Sequence, residues 1–548
     1  MNNSLEIESL SIKLRANNPN QKNEKERKRK QNQMIRDIFG RVLMINRRYL
    51  LKAINVCIIA CVMLMNLCIA AQTNKYPNII LLMADDMGWG DVGFNGNTII
   101  KTPSLDTLAA AGIKMNRFFA GAPVCSPTRG SCLTGRHPYR YGIWHANKGR
   151  LPVQEVTIPK VLSENGYATG HFGKWHLGIP NTEYRGKGGG KENYCFPEWF
   201  GYDEHFITHH SVATWDPFGP EGEKAKDADN PYFHNGKRVL DNITGDDSRI
   251  IMDRAIPFID KAVKDHKPFF AVIWFHAPHK PIKAGLKYKA MYSQYTEEEQ
   301  DYYGCITALD DQVGRLHKEL KTLGVEDNTM IWFCSDNGPE NRTPGTTGGL
   351  RARKRSLFSG GVGVPAFLYW PSHIKTGRVE EMLCSTLDYL PTIFEVVGVS
   401  MPDERPLDGI SLVEVIEGKQ KEREKAIPFR TNKHPKISFL KGDYKFLTDA
   451  LEGKQDDMLF NITQDRSEEN NVIDQHPQIA KPLKAGAREF IASAKRSHSG
   501  ADYHDPAYKP AESWFADAES KRVSPSKASE SDNTNKPKKK KRASNITE

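Results

Sequence analysis

Three short apolar runs punctuate the chain, and each ends on polar residues. Residues 77–83 are mostly branched and apolar and stop at Asp85 and Asp86, residues 269–275 stop at His276 and His279, and residues 330–333 stop at Ser335, Asp336 and Asn337. Runs of this length without polar alternation predict strands buried on both faces of a parallel sheet. Helical segments fall between them. Thr102 and Pro103 are a cap and a first-turn proline, Leu105, Leu108 and Ala109 form a stripe, and Gly112 stops it. Residues 159–164 end at Asn165-Gly166 and lead into an extended stretch, 167–172, and a loop at Gly173. This order predicts an α/β fold with a doubly wound, mixed but mostly parallel sheet and helices on both faces. Ligands of such sheets bind beyond the carboxyl ends of the strands, where these polar residues lie. No internal repeat is visible, and the Gly-rich residues 186–190 read as a surface loop.

Charge separates the ends from the body. The 548 residues hold 77 Lys+Arg against 67 Asp+Glu, but residues 1–52 carry 13 basic and 5 acidic groups and residues 519–548 carry 9 and 4. The remainder has 55 against 58, so a basic groove for nucleic acid is disfavoured. Residues 53–71 are mostly apolar. Their uninterrupted core, 56–65, is ten residues, which suits the apolar region of a signal peptide better than a spanning helix. Arg47, Arg48 and Lys52 precede it, and Cys68, Ile69 and Ala70 offer a cleavage position. Export is expected, with a retained membrane anchor as the rival, and residues 44–70 read as a complete signal peptide on their own. Residues 1–43 lack an amphipathic period, and the Ser, Lys and Asn-rich tail reads as solvated. Nine cysteines in 548 residues are too few for a disulfide scaffold; after export and conversion of Cys125, five remain, so at least one is unpaired in a monomer.

Asp85, Asp86, Asp336 and Asn337 offer hard oxygen ligands, which suit calcium, or less well magnesium, and argue against zinc or copper. Each pair alone could be an ordinary turn. Taken together they point to an ion, because adjacent carboxylates at one strand end repel unless a cation lies between them.

The stretch Cys125-Ser126-Pro127-Thr128-Arg129-Gly130, followed by Leu133-Thr134-Gly135-Arg136, resembles the signature of the formylglycine-dependent type I sulfatases of the alkaline phosphatase superfamily. In that family the Cys of Cys-x-Pro-x-Arg is oxidised to an aldehyde. Ala84-Asp85-Asp86-Met87-Gly88 and Ser335-Asp336-Asn337-Gly338 resemble the two metal loops, and Gly173-Lys174-Trp175-His176-Leu177-Gly178 the Gly-Lys-Trp-His motif. Ala277-Pro278-His279-Lys280-Pro281 places the family's acid at His279, and Leu350-Arg351-Ala352-Arg353-Lys354-Arg355 places a sulfate-binding lysine at Lys354. The likeness spans roughly residues 75–500 and implies a smaller C-terminal subdomain with a short antiparallel sheet. One departure is visible: Phe358-Ser359-Gly360-Gly361-Val362-Gly363 lacks the acid and the Arg usual around this Gly-Gly.

The resemblance implies an exported sulfuric ester hydrolase. Cys125, Arg129, His176 and His279 are its catalytic residues, Lys174 and Lys354 hold sulfate, and Asp85, Asp86, Asp336 and Asn337 hold the metal. A sulfated carbohydrate or aryl sulfate ester is the expected substrate, and a formylglycine-generating enzyme the partner in maturation. His276 could be a satisfied strand-end histidine or a substrate contact; His209, His210 and His234 could line a cleft or lie on a loop. The expected division is a disordered basic extension (1–48), a signal peptide or anchor (49–71), a catalytic domain (75–415), a C-terminal subdomain (416–500) and a disordered basic tail (501–548). Two rivals remain: a phosphomonoester or phosphonate hydrolase on the same scaffold, and a non-catalytic binder of sulfated glycans with Cys125 unconverted.

Overall fold

The central strands pair so that every apolar run is covered twice. In the computed structural model, which describes residues 19–73, 76–184, 191–452 and 456–511, the strands are, in chain order, β1 (Asn78–Ala84), β2 (Ile113–Met115), β3 (Phe118–Phe119), β4 (Ala168–Lys174), β5 (Glu204–Thr208), β6 (Phe233–His234), β7 (Lys237–Arg238), β8 (Phe269–Trp274), β9 (Thr329–Ser335), β10 (Ala366–Tyr369), β11 (Arg378–Glu380), β12 (Cys384–Ser385), β13 (Ile427–Arg430), β14 (Ile437–Lys441), β15 (Tyr444–Thr448) and β16 (Met458–Asn461). The main sheet has the order β11-β2-β10-β9-β1-β8-β4-β5-β6-β7. Its centre, β9-β1-β8-β4-β5, is parallel, and β10 enters antiparallel beside β9.

Alternate residues feed two cores. Ile79, Leu81 and Met83 pack with Val272, Trp274 and Trp332 on one face; Ile80 and Leu82 pack with Ile273 and Phe333 on the other. The helices Cys125–Thr134, Ile158–Glu164 and Tyr389–Val397 cover the first face, and Pro103–Ala111, Asp247–Lys264 and Glu297–Thr322 the second. Helix starts follow local chemistry. The Asp246 carboxylate accepts from the amides of Ser248 and Arg249, and Thr296 with Glu299 forms a reciprocal capping box.

The small antiparallel sheet β13-β14-β15-β16 packs Ile427, Phe429 and Leu447 against Phe119, Leu357 and Val362 of the larger body, and Phe446 and Leu459 against the helix Pro477–His498. Residues 501–511, expected to be without structure, are held by the body: Tyr503 donates to Glu155 Oε1 at 2.5 Å and Asp502 pairs with Arg136. The reason is charge burial, because a fully buried guanidinium needs carboxylate partners. Cys125, Cys132, Cys195, Cys305, Cys334 and Cys384 are buried free thiols.

The N-terminal unit is separate, and its described part is one helix, Pro19–Thr73, where residues up to 48 were expected to be unstructured. The stretch is rich in Lys, Arg, Glu and Gln, and this local propensity suffices to draw a helix without an amphipathic face. No described helix is long and apolar enough to cross a membrane. Residues 1–18, the Gly-rich 186–190 and the tail from 512 lie outside the described residues.

Candidate active site

The register of β1 and β9 puts Ala84 opposite Ser335, so Asp85 and Asp86 leave the sheet beside Asp336 and Asn337. The amide of Asp86 donates to Asp336 Oδ1 at 3.1 Å, and Asn337 Nδ2 donates to Asp86 Oδ1 at 2.7 Å. Asp86 has a left-handed backbone, φ 69°, a strained turn that brings both carboxylates to one spot. Asn337 comes equally close because Gly338 lies against Gly360: a Cβ at 338 would stand 1.8 Å from the Gly360 carbonyl oxygen.

Cys125 is the first residue of its helix, at the positive end of the dipole. Its Sγ and one carboxylate oxygen each from Asp85 and Asp336 lie within 4.8 Å of one another, and Asp85, Asp86 and His279 form a second such group. One helical turn on, Arg129 donates to Asp336 Oδ2 at 2.7 Å, comes within 3.6 Å of Asp85 Oδ1 and lies over the Trp274 ring. Lys174, the last residue of β4, places Nζ 2.6 Å from Asp85 Oδ2. Lys354 Nζ reaches both oxygens of Asp86, at 2.6 and 2.8 Å. His279 Nε2 lies 3.6 Å from Asp86 Oδ2 with its side chain 25% exposed, and His176, with φ 57°, sets Nε2 2.8 Å from Asn147 Oδ1. All ten residues named from the sequence therefore meet at one place. Cys125, His176, His279 and Lys354 line a cleft of 390 Å³ together with Asn147, His210, Ser211, Lys280 and Arg355.

Electrostatics divide the two facing carboxylates. Burial raises Asp85, but Lys174, His279, Arg129 and Lys354 outweigh it and hold the carboxyl well below its ordinary range. Burial and the charge of Asp85 push Asp336 up to about 7 despite Arg129. Burial also raises the Cys125 thiol against the pull of Lys174 and Lys354, so the unmodified thiol is a poor thiolate source. Burial, with Lys174 and His209 beside it, drives His176 well below its ordinary value. Burial lowers His279 as well, against Asp85 and Asp86.

The residues fit a divalent cation. Asp85 Oδ1 and Asn337 Oδ1 are buried with no hydrogen-bond partner; Asp85 belongs to both carboxylate groups, and Asn337 is bonded to Asp86 beside them. Buried oxygens left in this way beside repelling carboxylates are what an oxygen-liganded ion satisfies.

His276 is a structural histidine: fully buried, it sets Nδ1 2.7 Å from Asp247 Oδ2 and Nε2 2.8 Å from the Thr208 hydroxyl. His210 lines the cleft, His209 packs edge-on to Tyr184, and His234 of β6 pairs with Glu204 of β5. Beside the Gly360-Gly361 turn, Glu468 Oε2 accepts from the Ser359 amide at 2.6 Å, and Glu468 pairs with buried Lys445 at 3.0 Å. Sequence reasoning missed Asn147 and Ser211, whose hydroxyl donates to Asp85 Oδ2 at 2.7 Å. Both lie on loops without a motif of their own.

The family model described as Sulfatase matches residues 77–399, and that described as N-sulphoglucosamine sulphohydrolase, C-terminal, matches residues 352–491. The chain is 33% identical over 366 residues to an N-acetylgalactosamine-6-sulfatase of Sus scrofa, covering 63% of this chain and 67% of that protein. It is 29% identical over 457 residues to an arylsulfatase A of Bos taurus, covering 74% and 85%. Among solved structures, Ps i-CgsB in complex with k-i-k-neocarrahexaose superposes with a TM-score of 0.69 at 29% identity, covering 79% of this chain and 96% of that one.

Proposed function

The chain belongs to the sulfatase family and is a sulfuric ester hydrolase, and from that premise we propose that it removes sulfate from a carbohydrate, using a formylglycine made from Cys125 beside a bound calcium ion. The observation that carries this reading is the approach of Cys125 Sγ to the carboxylate oxygens of Asp85 and Asp336, all within 4.8 Å, at a cleft that Lys354 also lines. The relatives support the carbohydrate: one is an N-acetylgalactosamine-6-sulfatase, and another was crystallised with a neocarrahexaose. The apolar stretch within residues 49–71 supports export.

Converted by a formylglycine-generating enzyme and hydrated, residue 125 supplies two geminal hydroxyls, one to act as nucleophile and one whose proton can be withdrawn to release sulfate. Calcium held by Asp85, Asp86, Asp336 and Asn337 supplies the charge that lowers the pKa of the nucleophile and neutralises sulfate oxygens. Lys174 and Lys354 bind the remaining sulfate oxygens, and Arg129 balances negative charge at residue 125. His279, at the open side of the cleft, holds the proton for the departing alcohol oxygen; a bound sulfate favours its charged form. His176, kept neutral by burial, suits the role of base.

Parallel assays test the reading. The mature enzyme hydrolyses 4-nitrophenyl sulfate and prefers it to 4-nitrophenyl phosphate, and Cys125→Ala abolishes both activities. Preference for the phosphate would establish the phosphomonoester reading; a mature protein inactive on both, yet retaining sulfated glycans, would be a binder.

A further inference from the structure

Two loops meet twice beside the reacting groups. The turn after β1 carries Asp85 and Asp86, and the loop of residues 343–355 carries Lys354, whose Nζ stands 2.6 Å from Asp86 Oδ1. A few positions past Asp86 the same two loops are joined again by Asp91, which is fully buried. Asp91 Oδ1 accepts from the Thr346 amide at 2.7 Å, and Oδ2 accepts from the Gly88 amide at 2.6 Å and the Tyr302 hydroxyl at 2.7 Å. The Gly90 amide adds a bond to the Thr346 carbonyl at 3.0 Å. Beside Thr346, the Gly345 carbonyl accepts from the guanidinium of Arg353, the chain neighbour of Lys354. These contacts close a ring, from Asp86 through Lys354, Arg353, Gly345 and Thr346 to Asp91 and back along the chain. Glycines permit the approach: a Cβ at 88 would stand 2.1 Å from the Thr346 carbonyl oxygen, and one at 90 would stand 2.7 Å from the Gly348 amide nitrogen.

Burial disfavours a charge at this position and pushes the Asp91 carboxyl up to about 6, against the pull of its three donors and of Arg353. A carboxylate nevertheless suits the place, because its two oxygens accept without donating and so hold an amide of each loop at once. We propose that Asp91 is a positioning residue of the sulfatase reaction: by fastening the Asp85-Asp86 turn to the Lys354 loop, it sets the distance between the cation site and the lysine that holds sulfate. The role rests on the sulfatase reading for its chemistry. An Asn at this position cannot fill it. With its oxygen toward Thr346 its NH2 opposes the Gly88 amide, and with its oxygen toward Gly88 it opposes the Thr346 amide, so either way one loop is released. The turn keeps its own anchors, the Asp86 amide on Asp336 and the Met87 amide on Ser335 Oγ at 2.9 Å, so the Lys354 loop is the part that moves.

Two binding constants test it: the Ki of inorganic sulfate against 4-nitrophenyl sulfate turnover, and the Kd of calcium from calorimetric titration of metal-free protein. In Asp91→Asn the sulfate Ki rises about tenfold or more, the scale on which a supporting partner acts on a site, while the calcium Kd changes less than about threefold. Asp310→Asn is the matched control. Asp310 is also a fully buried carboxyl pushed up to about 6, and it accepts from the Ser104 and Leu105 amides at 3.0 and 2.8 Å, but it joins two helices and lines no part of the cleft. Both constants stay unchanged in it. An unchanged sulfate Ki in Asp91→Asn, an equal weakening of sulfate and calcium there, or an equal rise in Asp310→Asn overturns the role. Should Asp91→Asn not fold, Gly90→Ala decides by the same criteria, because its methyl group forces the loops apart with the carboxylate intact. Failure of the unaltered enzyme to turn over 4-nitrophenyl sulfate contradicts the sulfatase reading instead, and sulfate binding by calorimetry then still reports on the brace.

Discussion

Asn147 Oδ1 stands 2.8 Å from His176 Nε2, and both residues have left-handed backbones, φ 59° and 57°. Such conformations are uncommon for non-glycine residues and concentrate at functional turns. The Asn147 side chain thereby fixes the imidazole of His176, and the second ring nitrogen is buried with no hydrogen-bond partner. Asn147→Ala frees the ring and lowers kcat about tenfold or more, as loss of an orienting partner does. Asn147→Asp places a carboxylate beside an imidazole otherwise held well below its ordinary value, which raises its pKa. The acid limb of the pH profile then moves to higher pH. An unchanged profile in Asn147→Asp would mean that His176 does not titrate in the rate.

At the proposed site, calcium would compete with protons for the same oxygens. Burial and Asp85 push Asp336 up to about 7 from 3.8, so in metal-free protein the folded state binds a proton that the unfolded state does not. That contribution to stability is complete below about pH 4 and is lost as pH rises through 7. Added calcium replaces the proton. The rise in Tm produced by calcium over EDTA is therefore larger at pH 8 than at pH 5, and calcium at about 100 times its Kd adds about 2.7 kcal/mol. An increment independent of pH would show that Asp336 is not at the ion.

Arg136 belongs to the signature stretch yet works at a distance from the chemistry. It is fully buried between Glu155, at 3.0 Å, and Asp502, and Tyr503 donates to the same oxygen of Glu155. Asp502→Ala leaves part of a buried guanidinium unpaired and destabilises by about 1–3 kcal/mol. Thermal unfolding detects the loss, and kcat measured well below Tm stays within twofold.

Glu468 and Lys445 fasten the small sheet beneath the Gly360-Gly361 turn, both side chains fully buried. Glu468→Ala strands the Lys445 ammonium and costs about 3–5 kcal/mol, whereas an exposed pair such as Arg488 with Glu452 costs less than about 1 kcal/mol when broken. Urea midpoints of Glu468→Ala and Glu452→Ala make the comparison.

Local pattern carried the parts of this molecule that are local. β1, β8 and β9 are visible as apolar runs because a parallel strand covered on both faces needs no polar alternation, and their ends announce Asp85, Asp86, Asp336 and Asn337. Cys125, Arg129, Lys174, His176, His279 and Lys354 were reached by resemblance, since a cysteine beside an arginine is by itself ordinary. What was not legible is long-range. Asn147 meets His176 from a loop with no periodicity, Ser211 reaches Asp85 across 126 positions, and Glu468 reaches the Ser359 amide from 109 positions away. Residues 501–511 look like tail by composition, and it is long-range bonds to Arg136, Glu155 and Gln154 that hold them.

The central claim is that Cys125 becomes an aldehyde at the site where the carboxylates meet. Mass measurement of the tryptic peptide spanning residues 118–129, taken from protein active on 4-nitrophenyl sulfate, tests it most directly. The account predicts a peptide in which the CH2SH of residue 125 has become CHO, and which reacts with a hydrazide probe. An intact thiol in fully active protein would contradict it.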